Sequence, residues 1–169
     1  MSTPLKAVHA LPCDVETAFS AVSSEAWAHR KAAELHDGSQ VVSRDERPDG
    51  GVVLVVSREL PEGVPGFLEK FLPRDGRARQ TDAWEPAGPD GVRRGTWAAE
   101  IPGAPAQVGG TMRLEPEGSG ATAATRYTIE GEVKVRVPVI GGKAEKFLVG
   151  MVVRLTEKEA DVLRGMVSG

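Results

Sequence analysis

The sequence predicts an α+β fold: a curved antiparallel sheet of about seven strands around a long C-terminal helix, with two short helices after the first strand. Three observations lead there. Turn signals recur at hairpin spacing from residue 40 onward, residues 127–137 alternate apolar and charged side chains, and beyond Pro138 the apolar period changes from two to that of a helix.

Residues 5–11 are short, apolar and closed by Pro12, as a first strand would be. Asp14 is a good N-cap, with Thr17 three residues on, and Val15, Ala18, Phe19 and Val22 follow at helical spacing. Residues 24–36 repeat the pattern through Trp27, Ala28, Lys31, Ala32 and Leu35, with Gly38 as the stop signal. Then the punctuation changes. Pro48-Asp49-Gly50-Gly51 separates residues 40–47 from the β-branched run at 52–60. Gly88 to Gly91 and Gly118 to Gly120 separate 77–85 from 92–101 and 106–115 from 123–137. Connections this short favour antiparallel neighbours.

In the last strand Tyr127, Ile129, Val133, Val135 and Val137 alternate with Arg126, Thr128, Glu130, Glu132, Lys134 and Arg136, so one face meets a core and the other water. Gly131 sits in the apolar register without a side chain, where a strand can bend or another group approach. After Gly141-Gly142, residues 143–167 form an apolar stripe through Ala144, Leu148, Met151, Val152, Leu155, Glu159, Val162, Leu163 and Met166. Such a helix is about 37 Å long, enough to cross a small sheet. Residues 61–73 break the hairpin rhythm. Phe67, Leu68, Phe71 and Leu72 share one side of a helical turn or two, as a satellite of the core or a cover over a pocket.

The 169 residues fit one domain, 1–169. With 40% hydrophobic and 27% charged residues the chain is too apolar for disorder and too interrupted to span a membrane. The start carries no basic region leading into an apolar stretch, so the expected location is cytoplasmic. A net charge of −3 with interspersed signs argues against nucleic acid. Arg93-Arg94 and the basic residues of 74–79 read as solvated strand edges or loops. Cys13 is the single cysteine, which excludes a disulfide framework and a zinc site of its own; it reads as a small packing residue or, beside the helix N-terminus at Asp14, as a reactive thiol.

The order of elements resembles the START-like, Bet v-type helix-grip superfamily, also called SRPBCC or the polyketide cyclase and lipid-transport superfamily. Several stretches are similar to an uncharacterised bacterial branch of it, a domain of unknown function. They are Pro65-Gly66-Phe67-Leu68, Lys70-Phe71-Leu72-Pro73, Gln80-Thr81-Asp82-Ala83-Trp84, the run from Ile101 to Pro105, Gly110-Thr111-Met112-Arg113-Leu114 and the run from Val135 to Lys143. The tail, from Val162 to Gly169, lacks the aromatic ending of that branch. The resemblance implies the helix-grip fold and an internal cavity for a small hydrophobic molecule.

In the expected registers Trp84, Trp97, Ala99, Ile101, Val108, Met112, Leu114, Tyr127, Ile129 and Val133 face inward, opposite Leu148, Val152 and Leu155. Such a list suits a ligand pocket and equally a filled core. Tyr127, Arg58, Asp82 and the indole N–H groups of Trp84 and Trp97 are its polar anchors. Arg58 shares parity with Val52, Leu54 and Val56 and so either faces inward to a carboxylate or snorkels to water. The expected ligand-binding residues are thus Arg58, Phe67, Phe71, Trp84, Trp97, Met112, Tyr127, Ile129, Leu148, Val152 and Leu155. Residues 64–72 and Gly141-Gly142 would border the entrance.

No catalytic residue is assigned. Of the three histidines, His29 and His36 read as surface residues, and His9, inward by parity, as a hydrogen-bonded structural residue or a base; their spacing fits no metal. Nucleophile-elbow, phosphate-loop and dinucleotide motifs are missing, so no cofactor is expected. Binding of a lipid, isoprenoid or aromatic polyketide is the first reading, a cyclase or dehydratase in the same cavity the second and a protein-interaction module the third. Oligomeric state stays open.

Overall fold

Leu5, Ala7, His9 and Leu11 are buried while the residues between them are not, the alternation of a strand with one wet face. In the computed structural model, which describes residues 2–61, 63–73, 76–118 and 122–168, these belong to β1 (Thr3–Leu11). There follow α1 (Val15–Val22), α2 (Glu25–Leu35), β2 (Gln40–Glu46), β3 (Val52–Glu59) and α3 (Gly66–Glu69). Then come β4 (Arg77–Trp84), β5 (Arg93–Glu100), β6 (Ala106–Glu117), β7 (Ala124–Val135) and α4 (Gly141–Val167). The strands form one seven-stranded antiparallel sheet in the order β1-β7-β6-β5-β4-β3-β2, curved around α4.

Each local signal has a visible cause. Asp14 Oδ1 accepts from the Thr17 amide at 2.8 Å and opens α1, and Ser24 Oγ accepts from the Trp27 amide at 3.3 Å and opens α2. The end of α2 differs from expectation: the chain turns left-handed at His36 (φ 53°), ahead of Gly38. The Pro48 to Gly51 turn joins β2 to β3, with Gly51 N donating to Asp49 Oδ1 at 2.9 Å. Residues 119–120 of the expected β6–β7 turn, like Arg74 of the basic group, lie outside the described residues.

Towards the β1 side of the sheet Gly110 of β6 stands opposite Gly131 of β7. A β-carbon on either would fall on the backbone of the other strand, so the close approach requires glycine at both positions. β7 ends at Val135, two residues before the expected limit, although Arg136 N still donates to Pro105 O at 2.8 Å in the register of the β6–β7 ladder.

The reversal into α4 passes through Val139, which is fully exposed and has φ 71°. α4 begins at Gly141, a residue or two earlier than its apolar stripe indicates. Its first turn is pinned by Glu145, whose buried carboxylate accepts from Val135 N at 2.9 Å and Thr3 Oγ1 at 2.8 Å. Those hydrogen bonds, the backbone one foremost, hold the Glu145 carboxyl below the usual range. From there α4 packs on β1 and β7 and on α1 and α2, filling one side of the concavity.

The core at that side contains Leu11, Leu114, Val133 and Leu163, all fully buried, each worth about 1.5–3 kcal/mol on removal from water. Trp84 is enclosed there, edge-on to Phe19 at 5.9 Å between ring centres. Arg93 corrects the reading of Arg93-Arg94 as solvated. Its parity with Trp97 turns it inward, where it donates to both Glu16 carboxylate oxygens (3.0 and 2.8 Å) and stacks on Phe19 at 3.8 Å. Arg94 stays exposed, paired with Asp90.

Candidate functional site: a cavity with a charged end

Where α4 leaves the strands at the far side of the sheet, a cavity of about 40 Å³ remains. Its sheet wall is built by alternation, which brings Arg58 of β3, Gln80 of β4, Trp97 and Ala99 of β5, Met112 of β6 and Tyr127 and Ile129 of β7 to one face. The opposite wall is one stripe of α4, Val152, Leu155, Thr156, Glu159 and Ala160, with Trp27 of α2 at the end.

Of the residues expected to bind a ligand, Arg58, Trp97, Met112, Tyr127, Ile129, Val152 and Leu155 line this space. Trp84, Leu148, Phe67 and Phe71 do not. Trp84 is sealed under α1. Leu148 is half-buried nearer the start of α4 and packs against the main core. Phe67 also packs on that core, beneath the Lys143 ammonium at 4.6 Å, and the buried member of its segment is Leu68. The cavity therefore lies along residues 152–160 of α4, away from the Gly141-Gly142 end where the entrance was expected.

Sequence reading missed Trp27, Gln80, Thr156, Glu159 and Ala160. Gln80 was within reach, since it has the parity of Asp82 and Trp84 on β4, and Thr156, Glu159 and Ala160 continue the helical stripe from Val152.

One end of the cavity is charged. Lys31 Nζ meets Glu159 Oε2 at 2.9 Å with both side chains almost fully buried, and the same ammonium lies 3.9 Å over the Trp27 ring. Arg58 Nη1 stands 3.6 Å from Glu159 Oε2, an ion pair longer than a hydrogen bond. Arg58 thus faces inward and does not snorkel; its side chain is 13% exposed. Gln80 Nε2 donates to Asp82 Oδ1 at 2.9 Å. A smaller void of about 10 Å³ shares Trp27, Arg58 and Gln80 with the cavity and reaches Lys31 and Asp82.

Burial dominates the titration of this end. It pushes the Asp82 carboxyl up, against the opposing pull of the Gln80 hydrogen bond and the Lys31 charge. The Tyr127 phenol is pushed well above its ordinary value by burial, then by the charges of Asp82 and Glu159. Tyr127 is a neutral donor here and forms no hydrogen bond with the described residues.

The indoles sort differently from expectation. Trp97 Nε1 donates to Glu130 O at 3.1 Å, so it is occupied and cannot orient a ligand. The Nε1 of Trp84 and that of Trp27 are buried without a partner among the described residues, and only Trp27 borders the cavity. His9 is inward and hydrogen-bonded, Nε2 to Thr156 Oγ1 at 3.1 Å. The Cys13 thiol is pushed up by burial and by Asp14, the opposite of activation. Among the described residues no His, Cys, Asp or Glu cluster could hold a metal ion, and no helix is long and apolar enough to cross a membrane.

The fold recurs in solved structures of low identity. The Zhui aromatase/cyclase from Streptomyces sp. R1128 superposes with a TM-score of 0.62 at 9% identity, covering 99% of this chain and 94% of its own. A protein from Thermus thermophilus gives 0.61 at 13% identity, covering 97% and 96%. Norcoclaurine synthase from Thalictrum flavum gives 0.50 at 10% identity, covering 99% and 87%. Uncharacterized proteins from Mycobacterium tuberculosis and Mycobacterium bovis are 30% identical over 104 residues, 59% of this chain. The match spans 57% of their length, little more than half of the curated relatives. The family described as "Protein of unknown function (DUF2505)" matches residues 6–167, nearly the whole chain, and the chain belongs to that family, on a helix-grip fold shared with these solved structures.

Proposed function

We propose that this protein binds a small hydrophobic molecule between the concave face of its sheet and residues 152–160 of α4. The carrying observation is the cavity itself. Its walls are aromatic and aliphatic except at one end, the usual make-up of a small-molecule site. The named neighbours support the same reading, since an aromatase/cyclase and norcoclaurine synthase share the fold.

The size of the space adds a condition. At about 40 Å³ it has room for only a few water molecules, at roughly 10–15 Å³ each, whereas ligand sites run to about 300–1,000 Å³. A lipid, isoprenoid or aromatic polyketide therefore enters by widening the cleft. Residues 147–153 of α4 provide for this: they are uncharged and half-buried throughout, and packing of α4 is concentrated on β1 and β7.

A cyclase or dehydratase is the second reading, favoured by Asp82, whose raised carboxyl lies beside the cavity that Tyr127 lines. A protein-interaction module has less support. The large exposed hydrophobics among the described residues, Val8, Val42 and Val139, are scattered over two edge strands and a turn.

Native mass spectrometry of gently purified protein, followed by organic extraction, tests the proposal. A bound apolar molecule is expected, together with a change in tryptophan emission when a lipid and polyketide panel is added, because Trp27 and Trp97 line the space. An empty protein whose emission and melting temperature ignore the panel, while another protein co-purifies, overturns it.

A further inference from the structure

The charged end of the cavity is unbalanced in its hydrogen bonding. Arg58 has five N–H donors and, for all of them, one ion-pair contact at 3.6 Å. Trp27 Nε1–H is buried and unpartnered among the described residues, and the Tyr127 phenol makes no hydrogen bond with the described residues. All three side chains line the same cavity. The carboxylates at this end are already engaged: Glu159 accepts from Lys31 at 2.9 Å and Asp82 from Gln80 at 2.9 Å. A buried donor left unfilled, as Trp27 Nε1 is, costs about 1–3 kcal/mol, and an acceptor that enters among the three groups relieves that cost while giving Arg58 and Tyr127 a direct partner.

Charge points the same way as hydrogen bonding. Lys31 and Glu159 neutralise one another in a close buried pair. Asp82 Oδ1 accepts from Gln80 at 2.9 Å, and Glu159, already paired with Lys31 at 2.9 Å, stands only at 3.6 Å from Arg58, so the guanidinium shares its counter-charge with a closer cation. A planar carboxylate matches a guanidinium fork in shape and charge. A phosphate or a dicarboxylate would bring a second charge, for which the remaining lining, Trp97, Met112, Ile129 and Val152, has no partner.

We propose that the ligand of this cavity is a hydrophobic monocarboxylate, with its acid group on Arg58, Tyr127 and Trp27 and its apolar body against Trp97, Met112 and Ile129. The inference rests on the cavity reading above and adds the chemical class. Arg58 is the selecting residue; it turns a general apolar space into one that prefers an acid to the alcohol of the same skeleton.

Matched pairs test it: octanoate against octan-1-ol and cinnamate against cinnamyl alcohol, titrated by calorimetry at constant ionic strength into the wild-type protein, Arg58→Met and Tyr127→Phe. Each acid is expected to bind wild type at least tenfold tighter than its alcohol. Arg58→Met should lower acid affinity at least tenfold and leave the alcohol within about twofold, and Tyr127→Phe should weaken the acid about fivefold. Should Arg58→Met fail to fold, the wild-type acid-to-alcohol ratio and the Tyr127→Phe titration decide. Equal binding of acid and alcohol to wild type overturns the carboxylate inference while leaving the cavity reading standing. Absence of binding by every probe, with nothing recovered on extraction, overturns both.

Discussion

The indole of Trp97 rests on Gly131: a β-carbon at that glycine would stand 3.0 Å from Trp97 Cζ2, and Trp97 Nε1 donates to the adjoining Glu130 carbonyl at 3.1 Å. The same β-carbon would collide with the Gly109 carbonyl on β6. Gly131→Ala is therefore expected to destabilise the protein by about 2–3 kcal/mol, through backbone displacement between β6 and β7. Gly142→Ala meets open space near the start of a helix and should be neutral or stabilising by about 0.5–1 kcal/mol. Urea denaturation of the two variants checks the contrast.

Lys31 and Glu159 are buried together, so removing one strands the other. Glu159→Leu should cost about 3–5 kcal/mol, and Lys31→Met/Glu159→Leu should recover at least half of that loss. A double-mutant cycle in urea measures it. Additive losses would mean that the pair is not coupled through burial.

His9 makes stability depend on mild acid. Thr156 Oγ1 donates to Val153 O at 2.8 Å, so its contact with His9 Nε2 is one it accepts, which places a proton on Nε2. Burial and then the Arg164 charge hold His9 below its ordinary value of about 6.5. A depressed folded pKa means that the unfolded chain takes the proton first. The contribution is present above about pH 6.5 and is lost as pH falls towards the folded value. His9→Gln, whose amide can still donate to Thr156, should show a smaller fall in melting temperature between pH 7 and pH 5 than wild type. Equal falls would assign that acid sensitivity elsewhere.

The segment around α3 divides between core and cover. Leu68 is buried in the main core, while Phe67 and Phe71 are half-buried with Lys143 and Lys70 over their rings. Leu68→Ala should cost about 2–4 kcal/mol. Phe67→Ala/Phe71→Ala should cost about 1–2 kcal/mol, since the rings bury less, and should leave exchange of a bound dye in stopped flow unchanged, because neither ring lines the cavity. Faster exchange in that variant would place the route into the cavity beneath this segment.

Periodicity carried most of the architecture. The alternation from Tyr127 to Val135 and the helical stripe beyond Pro138 are local consequences of backbone geometry, and they located β7 and α4 to within a few residues. Arg58 was legible by the same logic, being two residues beyond Val56 on β3. What it meets was not. Lys31 and Glu159 lie 128 residues apart, and a charge inside an apolar stripe reads like any other until its partner is seen. Arg93 read as solvated for the same reason, because Glu16 and Phe19 come from a distant helix. The Trp97 donor looked available because its acceptor is a main-chain carbonyl, to which side-chain patterns are blind. Volume is the least legible quantity of all: one apolar list describes a packed core, a 40 Å³ void and a full binding site alike.

The place of β1 at the sheet's edge, with β7 as its neighbour from Thr3↔Val133 to Leu11↔Thr125, also governs how the molecule is made. Ribosomes add roughly 5–20 residues each second, so the first strand waits roughly 6–25 seconds before its hydrogen-bonding partner exists. During that time Leu5, Ala7 and Leu11 have no sheet to join, and α4, which must close over them, emerges later still. Pairings this distant in sequence also raise contact order and slow the search even for the finished chain. The nascent protein is thus a long-lived open half-sheet, and the pocket is among the last features to come into being.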